Sequence, residues 1–185
     1  SKIFVTGNTV LDNLVGLEPE TQNKVLVTMH RRENHKKIRE WFRIINDLAV
    51  ENPHLEFVLP LHPNPNVSKY KFQLKDVTVA DPFSYEECLD FMRTCKTIIT
   101  DSGGIQEESS FLKKKCIVCR KTSERAEGVG TFAFMCPHPN MLKPTFDSII
   151  TSGEFIVDED CPYGDGKASE RIIRILKHEI CGNRR

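Results

Sequence analysis

Residues 101–108, which read Asp-Ser-Gly-Gly-Ile-Gln-Glu-Glu, have the composition of a phosphate-binding turn. Two glycines at a strand-to-helix turn let the backbone approach an anion closely, and the free amides at the positive end of a helix favour negative charge. Glu108 lies about one helical turn further on, where its carboxylate could accept hydrogen bonds from sugar hydroxyls. The stretch predicts a phosphate site, and the alternative is an ordinary Ser/Gly helix start.

Two other segments carry groups that bind anions. In residues 28–34, the His30 imidazole can exchange a proton near neutral pH or donate to a phosphate when charged, and Arg31 lies beside it. In residues 120–125, either Arg120 or Arg125 could bind a phosphate through two parallel hydrogen bonds. Solvent-exposed charge is the alternative in both segments, and the acidic residues of the second could pair with its arginines instead.

Short apolar runs rich in branched residues predict the buried strands that must position these groups. We predict strands at residues 25–28, 57–61, 77–79, 98–100 and 117–118. Residues 38–49 follow the helical period, and Ser84 and Glu87 have capping-box spacing before a second helix. Strands that alternate with helices in this way predict an α/β fold, a doubly wound, mostly parallel sheet with helices on both faces.

The carboxyl ends of the predicted strands lead into the polar segments. His30, His62, Asp81 and residues 101–104 each follow a strand, so they should gather on one rim of the sheet, where ligands bind in such folds. By itself His62, in a rigid His-Pro-Asn-Pro turn, is predicted to be a packed or capping histidine.

The two ends of the chain have different patterns. Residues 3–9 predict a short strand and a turn, more like a joint than the beginning of a domain. The last helix should present one apolar face, made of Ile172, Ile175, Leu176 and Ile180.

Length and composition exclude several classes of protein. The 185 residues fit one domain. The 26 basic and 26 acidic residues balance, so no overall positive potential attracts nucleic acid or an anionic membrane. No apolar run is long enough to span a bilayer, so we expect a soluble cytoplasmic protein. We expect the seven cysteines to be reduced buried thiols, because neither they nor the six histidines show ligand spacing for a metal.

Six segments, taken together and in order, resemble the non-hydrolysing UDP-N-acetylglucosamine 2-epimerases. They are residues 6–9, 29–34, 62–65, 100–108, 122–125 and 163–167, and the resemblance covers nearly the whole chain. It implies a glycosyltransferase B-type enzyme with two Rossmann-like halves, of which residues 1–185 would be the second, UDP-binding half and residues 1–20 the interdomain joint. The missing amino-terminal half, called the first half below, would be its partner, and a homodimer would be common in the family.

The family reaction would eliminate UDP to leave 2-acetamidoglucal and add it back with the second carbon inverted, giving UDP-N-acetylmannosamine. No metal or cofactor is implied. By this similarity Ser102, Gly103 and Gly104 would hold the diphosphate of UDP, Glu108 the ribose and Arg125 the phosphates. His30 would be catalytic or phosphate-binding beside the leaving group.

The resemblance also extends to regulation and to what the chain lacks. Arg31 and His62 match residues that bind a second UDP-N-acetylglucosamine as an activator in some bacterial members. The carboxylates that abstract the sugar proton have no counterpart here, so the chain alone should be inactive. Half of a UDP-sugar glycosyltransferase and a noncatalytic UDP-sugar-binding module are the alternative functions.

Overall fold

The computed structural model describes residues 3–182 and the side chains of residues 3–179. Six strands form one sheet in the order β3-β2-β1-β4-β5-β6, and every neighbouring pair is parallel. The strands are β1 (Lys24–Thr28), β2 (Glu56–Pro60), β3 (Thr78–Ala80), β4 (Thr97–Thr100), β5 (Cys116–Val118) and β6 (Ala133–Met135). This confirms the predicted doubly wound α/β fold.

Helices cover both faces of the sheet. The α-helices are α1 (Ile38–Glu51), α2 (Pro65–Ser68), α3 (Tyr85–Thr94), α4 (Gly103–Phe111), α5 (Leu142–Ser152) and α6 (Ala168–Gly182). Successive side chains of a strand point to opposite faces, so Val25 and Val27 belong to one buried cluster with α1 and α5. Leu26 belongs to the other cluster, with α3 and α4. The apolar sequences of the central strands follow from this two-sided burial.

The two helices with the strongest sequence signals form as predicted. Trp41 and Ile45 of α1 recur at helical spacing and are buried, and the helix ends at Glu51, two residues before Pro53. At the start of α3, the Ser84 hydroxyl accepts from the Glu87 amide at 3.2 Å, and the Glu87 carboxylate accepts from the Ser84 amide at 2.7 Å. This is the predicted capping box.

The amino-terminal prediction was partly wrong. Ile3 and Val5 form no strand and are 86% and 95% exposed. Gly7 has φ = 91°, and a 3₁₀ helix (Thr9–Leu14) begins two residues later. A strand requires a partner that accepts its hydrogen bonds, and this segment lies beside no edge strand of the sheet. The first two residues of the predicted joint lie outside the described residues.

Other differences concern the second half of the chain. The predicted strand limits agree with the structure to within one residue, but β6 and α5 had not been predicted. The predicted apolar face of α6 is not buried by this domain: Ile172 and Ile175 are half-buried and Leu176 is 52% exposed. Ile180 of the same prediction lies outside the described side chains.

The cysteines of the described side chains are all free thiols, as predicted. Cys95, Cys116, Cys119 and Cys136 are buried, and the others are half-buried. Burial raises the pKa of the Cys116 thiol to about 11, so this thiol is unreactive. Within residues 3–182, none of the helices combines the length and the apolar composition needed to cross a membrane.

Candidate functional site

The two central strands define the site, because the strand order reverses between them. β1 and β4 are neighbours, and the chain leaves β1 toward one edge of the sheet and β4 toward the other. A crevice forms at the carboxyl ends of such a pair. Thr28 and Thr100 are register partners at these ends, and their hydroxyl oxygens are 2.7 Å apart. The segments that follow, which begin near His30 and Ser102, are therefore adjacent, as predicted.

Asp101 ties these two segments together. Its carboxylate is fully buried and accepts hydrogen bonds from the backbone amides of His30 (3.1 Å to each oxygen) and Arg31 (2.8 Å), and from Asn34 Nδ2 (3.0 Å). Asn34 is fixed in turn, since its Oδ1 accepts from Trp41 Nε1 at 3.2 Å. A buried carboxylate with this many donors fixes the geometry of the whole loop. The loop after β1 therefore cannot move independently of the turn after β4.

The His30 ring lies at this junction. Its Nδ1 is 3.5 Å from an Asp101 oxygen, and the ring stacks on His62 with centroids 5.5 Å apart and an interplanar angle of 14°. Burial lowers the pKa of His30; Asp101 opposes this shift, whereas His62, Arg31 and His35 add to it. The ring is therefore mostly neutral at pH 7, and an anion bound beside it would raise its pKa. Such a ring can take up a proton as negative charge develops nearby.

His62 and Arg31 lie at the outer edge of the same crevice, and both are exposed. His62 Nδ1 accepts a hydrogen bond from the Asn64 amide at 3.1 Å, which confirms the predicted capping role. A pocket of about 460 Å³ adjoins them, lined by His30, Arg31, Arg32, Glu33 and Arg120. Three of these five residues carry a permanent positive charge, so the pocket suits an anion.

The start of α4 has the geometry of an anion site. Ser102 is the N-cap residue, but its side chain makes no capping hydrogen bond; its amide donates to Thr100 Oγ1 at 3.0 Å. The first amides of a helix have no partner within it, so those of Gly103 and Gly104 can point to a bound anion. A Cβ on Gly103 would lie 3.0 Å from Cζ of Arg125, whereas a Cβ on Gly104 would meet nothing within 4 Å.

Arg125 is held against this turn by several contacts. Its Nε donates to Glu107 Oε1 at 2.8 Å, and its Nη1 lies 3.4 Å from Glu124 Oε2. Its amide donates to the Ser123 hydroxyl at 3.0 Å, and its carbonyl accepts from the Tyr163 hydroxyl at 3.0 Å. Hydrogen bonding to Glu107 is the main reason that the pKa of Arg125 is raised. Arg125 therefore lies at the glycine turn and also pairs with acidic neighbours, and phosphate binding by Arg125 stays a prediction.

Arg120, the other arginine of this loop, lies further from the glycine turn. Its Nε donates to Glu33 Oε1 at 2.8 Å, and its terminal nitrogens donate to both carboxylate oxygens of Glu124 at 2.9 and 3.2 Å. This contact is the main reason that the pKa of Glu124 falls to about 2. Arg120 therefore joins the loops after β1 and β5 beside His30, and Arg125 is the better candidate for a phosphate at α4.

Glu108, the residue after Glu107 in α4, contacts Tyr85. Glu108 is 8% exposed; burial raises its pKa, and a hydrogen bond with the Tyr85 side chain opposes that shift. Tyr85 is the first residue of α3, and its own pKa is raised mainly by burial. A carboxyl group one turn along the helix from Gly104 could accept hydrogen bonds from a diol at the mouth of the crevice. Glu108 and Arg125 therefore have different partners, Tyr85 for Glu108 and Glu107 for Arg125.

Three residues that hold the site together were not identified from the sequence. They are Asn34, Glu107 and Asp101, whose role as the hydrogen-bond acceptor for the loop after β1 was not predicted. An aspartate directly after a fully apolar strand was the available signal for Asp101, since such a carboxylate must find donors nearby. Nothing in the sequence pairs Asn34 or Glu107 with distant partners. In the part of the chain that the structure describes, no group of three or more His, Cys, Asp or Glu residues is placed to hold a metal ion.

Comparisons with known proteins agree on one family. Residues 1–177 match the family model described as UDP-N-acetylglucosamine 2-epimerase. Curated UDP-N-acetylglucosamine 2-epimerases from Campylobacter jejuni and Neisseria meningitidis are each 34% identical to the chain, over 94% and 95% of its length. These matches cover 54% and 55% of the two relatives. The chain thus spans about half the length of the curated relatives it matches.

Solved structures give the same result. The chain is similar to a solved protein from Listeria monocytogenes, with a TM-score of 0.86 and 28% identity, covering 96% of this chain and 53% of that one. The N. meningitidis enzyme bound to UDP-N-acetylglucosamine gives a TM-score of 0.82 and 32% identity, over 95% and 55%. An Escherichia coli heptosyltransferase, 17% identical with a TM-score of 0.56 over 80% of this chain and 52% of that one, shares the fold alone. The chain belongs to the UDP-N-acetylglucosamine 2-epimerase family.

Proposed function

We propose that this chain is the UDP-binding half of a non-hydrolysing UDP-N-acetylglucosamine 2-epimerase. The observation that carries the proposal is the Asp101 carboxylate, which holds the His30 loop against the glycine turn of α4 at the point where the strand order reverses. Two solved relatives, from N. meningitidis and Methanocaldococcus jannaschii, are described as bound to UDP-N-acetylglucosamine. Ser102, Gly103 and Gly104 would bind the diphosphate, Arg125 the phosphates and Glu108 the ribose.

The proposed reaction removes the proton on the second sugar carbon and breaks the bond between the anomeric carbon and UDP, leaving 2-acetamidoglucal. UDP then adds back to the anomeric carbon while a proton is delivered to the opposite face of the second carbon, which inverts that carbon. Departure of UDP places negative charge on the diphosphate, so donors directed at it lower the barrier. The first amides of α4 and the Arg125 guanidinium supply such donors. Burial lowers the pKa of His30, and negative charge that develops beside the ring raises it again, so the ring can take up a proton as UDP leaves. The base that removes the sugar proton would come from the first half.

Two further roles are part of the proposal. Arg31 and His62, exposed at the outer edge of the crevice, would contact a second UDP-N-acetylglucosamine that acts as an activator. The stack of His62 on His30 would connect that site to the leaving group. The chain by itself would then bind UDP without epimerising the sugar, and the complete protein would be a two-domain enzyme.

Proton exchange at the second sugar carbon tests the proposed reaction. UDP-N-acetylglucosamine is incubated in heavy water with the chain alone and then with the chain and a candidate first half, and NMR follows that carbon-bound proton. We expect UDP binding without exchange for the chain alone, and exchange with the pair. Within the active pair, His30→Ala should reduce turnover more than folding stability.

The other outcomes of this experiment identify the alternatives. Sugar transfer to an acceptor without exchange at the second carbon would indicate half of a glycosyltransferase. Binding of UDP with no chemistry in either mixture would indicate a noncatalytic UDP-sugar-binding module. Absence of UDP binding by the chain would contradict the assignment of the α4 turn.

The two glycines of the turn should respond differently to alanine. A Cβ on Gly104 meets no protein atom within 4 Å, so Gly104→Ala should leave folding unchanged or stabilise the helix by up to about 1 kcal/mol. The same methyl group would occupy space needed by a closely approaching diphosphate, so UDP affinity should fall about tenfold or more. Calorimetric titration with UDP, together with thermal unfolding, measures both effects.

Gly103→Ala is the matched comparison. Its Cβ would lie 3.0 Å from the Arg125 guanidinium, so that side chain must move, and both stability and UDP affinity should fall. Equal UDP affinity for the Gly104→Ala variant and the native chain would show that no ligand approaches the exposed side of this turn.

A further inference from the structure

Three residues form a continuous hydrogen-bonded chain from the amino-terminal segment to the proposed anion site. Asn8 Nδ2 donates to Glu107 Oε2 at 2.6 Å, and Arg125 Nε donates to Glu107 Oε1 at 2.8 Å. Each Glu107 oxygen thus holds a different partner. The Glu107 side chain is 14% exposed, so water competes little for these two bonds.

Asn8 determines which atoms donate and which accept in this series of hydrogen bonds. Asn8 is the N-cap residue of the 3₁₀ helix (Thr9–Leu14), and its Oδ1 accepts from the Val10 amide at 3.1 Å. Its backbone amide donates to the Tyr163 carbonyl at 3.0 Å. Because Oδ1 is already used as the cap, Nδ2 must face Glu107 as a donor.

The orientation of Arg125 follows from Glu107. With Nε bonded to Glu107, the guanidinium lies against the first turn of α4, where Cζ and Nη1 are each 3.0 Å from the Cβ position of Gly103. The terminal nitrogens are therefore next to the helix amides that would bind an anion. Glu124 Oε2, 3.4 Å from Nη1, is exposed and can be displaced more easily than Glu107.

We propose that Glu107 is a positioning residue for Arg125, and that Asn8 holds Glu107 in place, so that the segment entering the domain controls the affinity of the site for a diphosphate. This inference rests on the proposed function, in which Arg125 binds the diphosphate of UDP. Coupling between two sites is reciprocal, so a bound diphosphate should also order the segment around Asn8. In a two-domain enzyme this segment would transmit the relative position of the halves to the phosphate-binding arginine.

A polarity swap between the two residues tests the inference. Asn8→Asp keeps the cap to Val10, since aspartate is as good an N-cap as asparagine, but places a carboxylate oxygen against Glu107 Oε2. We expect this variant to bind UDP about tenfold more weakly or worse, because Glu107 must turn away from Arg125. Glu107→Gln alone should also weaken binding, since its amide satisfies only one of the two donors that face it.

The double variant Asn8→Asp with Glu107→Gln should recover UDP affinity to within about threefold of the native chain. In it the introduced glutamine can donate through its side-chain nitrogen to the introduced aspartate, while its side-chain oxygen still accepts from Arg125 Nε. The polarity of one bond is therefore reversed and the geometry is kept. Titration calorimetry measures UDP affinity, and unchanged thermal midpoints confirm that the caps are intact. A merely structural role of Glu107 predicts no such rescue.

A second measurement, made without UDP, separates this inference from the proposed function. The Arg125 Nε–H signal is followed by NMR in all four proteins, and we expect faster exchange with water in Asn8→Asp and native behaviour in the double variant. If this pattern appears although the native chain fails to bind UDP, the positioning role stands and the proposed function falls. If the native chain binds UDP but Asn8→Asp changes neither UDP affinity nor the Nε–H signal, the positioning role is wrong. The same holds if the double variant binds UDP no more tightly than Asn8→Asp does.

Discussion

Replacement of Asp101 by alanine is expected to lower the free energy of unfolding by about 3 to 5 kcal/mol. The variant leaves the backbone amides of His30 and Arg31 without their acceptor, and it removes one acceptor from Asn34 Nδ2. The site is fully buried, so water cannot replace the carboxylate without opening the loop. For a domain of this size, such a loss corresponds to a drop of roughly 10 °C in the midpoint of thermal unfolding.

Denaturant unfolding of the native chain and the variant measures this effect, with Asp165→Ala as the matched control. The Asp165 carboxylate likewise accepts several hydrogen bonds, two of them from Arg171 at 2.6 Å each, but it lies in solvent, and its removal should change stability far less. A loss below about 1 kcal/mol for Asp101→Ala would show that the loop after β1 is not held by this carboxylate.

Replacement of Arg125 by alanine should produce the largest loss of ligand affinity, with UDP binding roughly 10- to 100-fold weaker. The guanidinium lies against the first turn of α4, and a charge-assisted hydrogen bond to phosphate is worth about 1.5 to 3 kcal/mol. Folding should be less affected than in the Asp101 variant, because Glu107 keeps its bond to Asn8. Titration calorimetry with UDP at two salt concentrations measures the change.

Two control variants separate a specific contact from the loss of a positive charge. Arg43→Ala removes the same charge from the exposed face of α1, where Arg43 pairs with Asp47, and should leave UDP affinity nearly unchanged. Arg125→Lys keeps the charge but lacks the Nε–H that Glu107 accepts, so it should recover only part of the affinity. Equal affinity losses for the alanine variants of Arg43 and Arg125 would contradict a direct phosphate contact.

The elements of this fold that can be predicted from sequence are those whose burial is dictated by local pattern. β1, β4 and α1 have apolar residues with a clear period, and Ser84 with Glu87 marks the start of α3 without reference to the rest of the chain. β6 (Ala133–Met135) lacks the β-branched residues that mark the other strands, and α5 carries Pro144 in its first turn, which disguises a helix start. At the amino terminus, the consecutive apolar residues 3–5 suggested a strand where the sheet offers no partner.

The candidate site was predictable in its position and only partly in its connections. The rule that ligands bind at the carboxyl ends of parallel strands brought His30, Ser102 and the two glycines together correctly. The contacts of Asp101 with Asn34, and of Glu107 with Asn8, join residues 67 and 99 positions apart in the sequence. Such pairs depend on how strands and helices are assembled in space, and one sequence contains no local sign of them.

The hydrogen bonds of Asp101 also bear on the order in which the chain folds. They join residues 67 to 71 positions apart, and they can form only after β1 has paired with β4. Closing a loop of this length lowers the conformational entropy of the chain before any contact energy offsets that loss. Such pairings are therefore slow and late. We therefore expect the amides and side chains of the crevice to come together late in folding. A nucleotide that binds in the crevice would bind only fully folded molecules and would stabilise them by mass action. It would not stabilise partly folded chains.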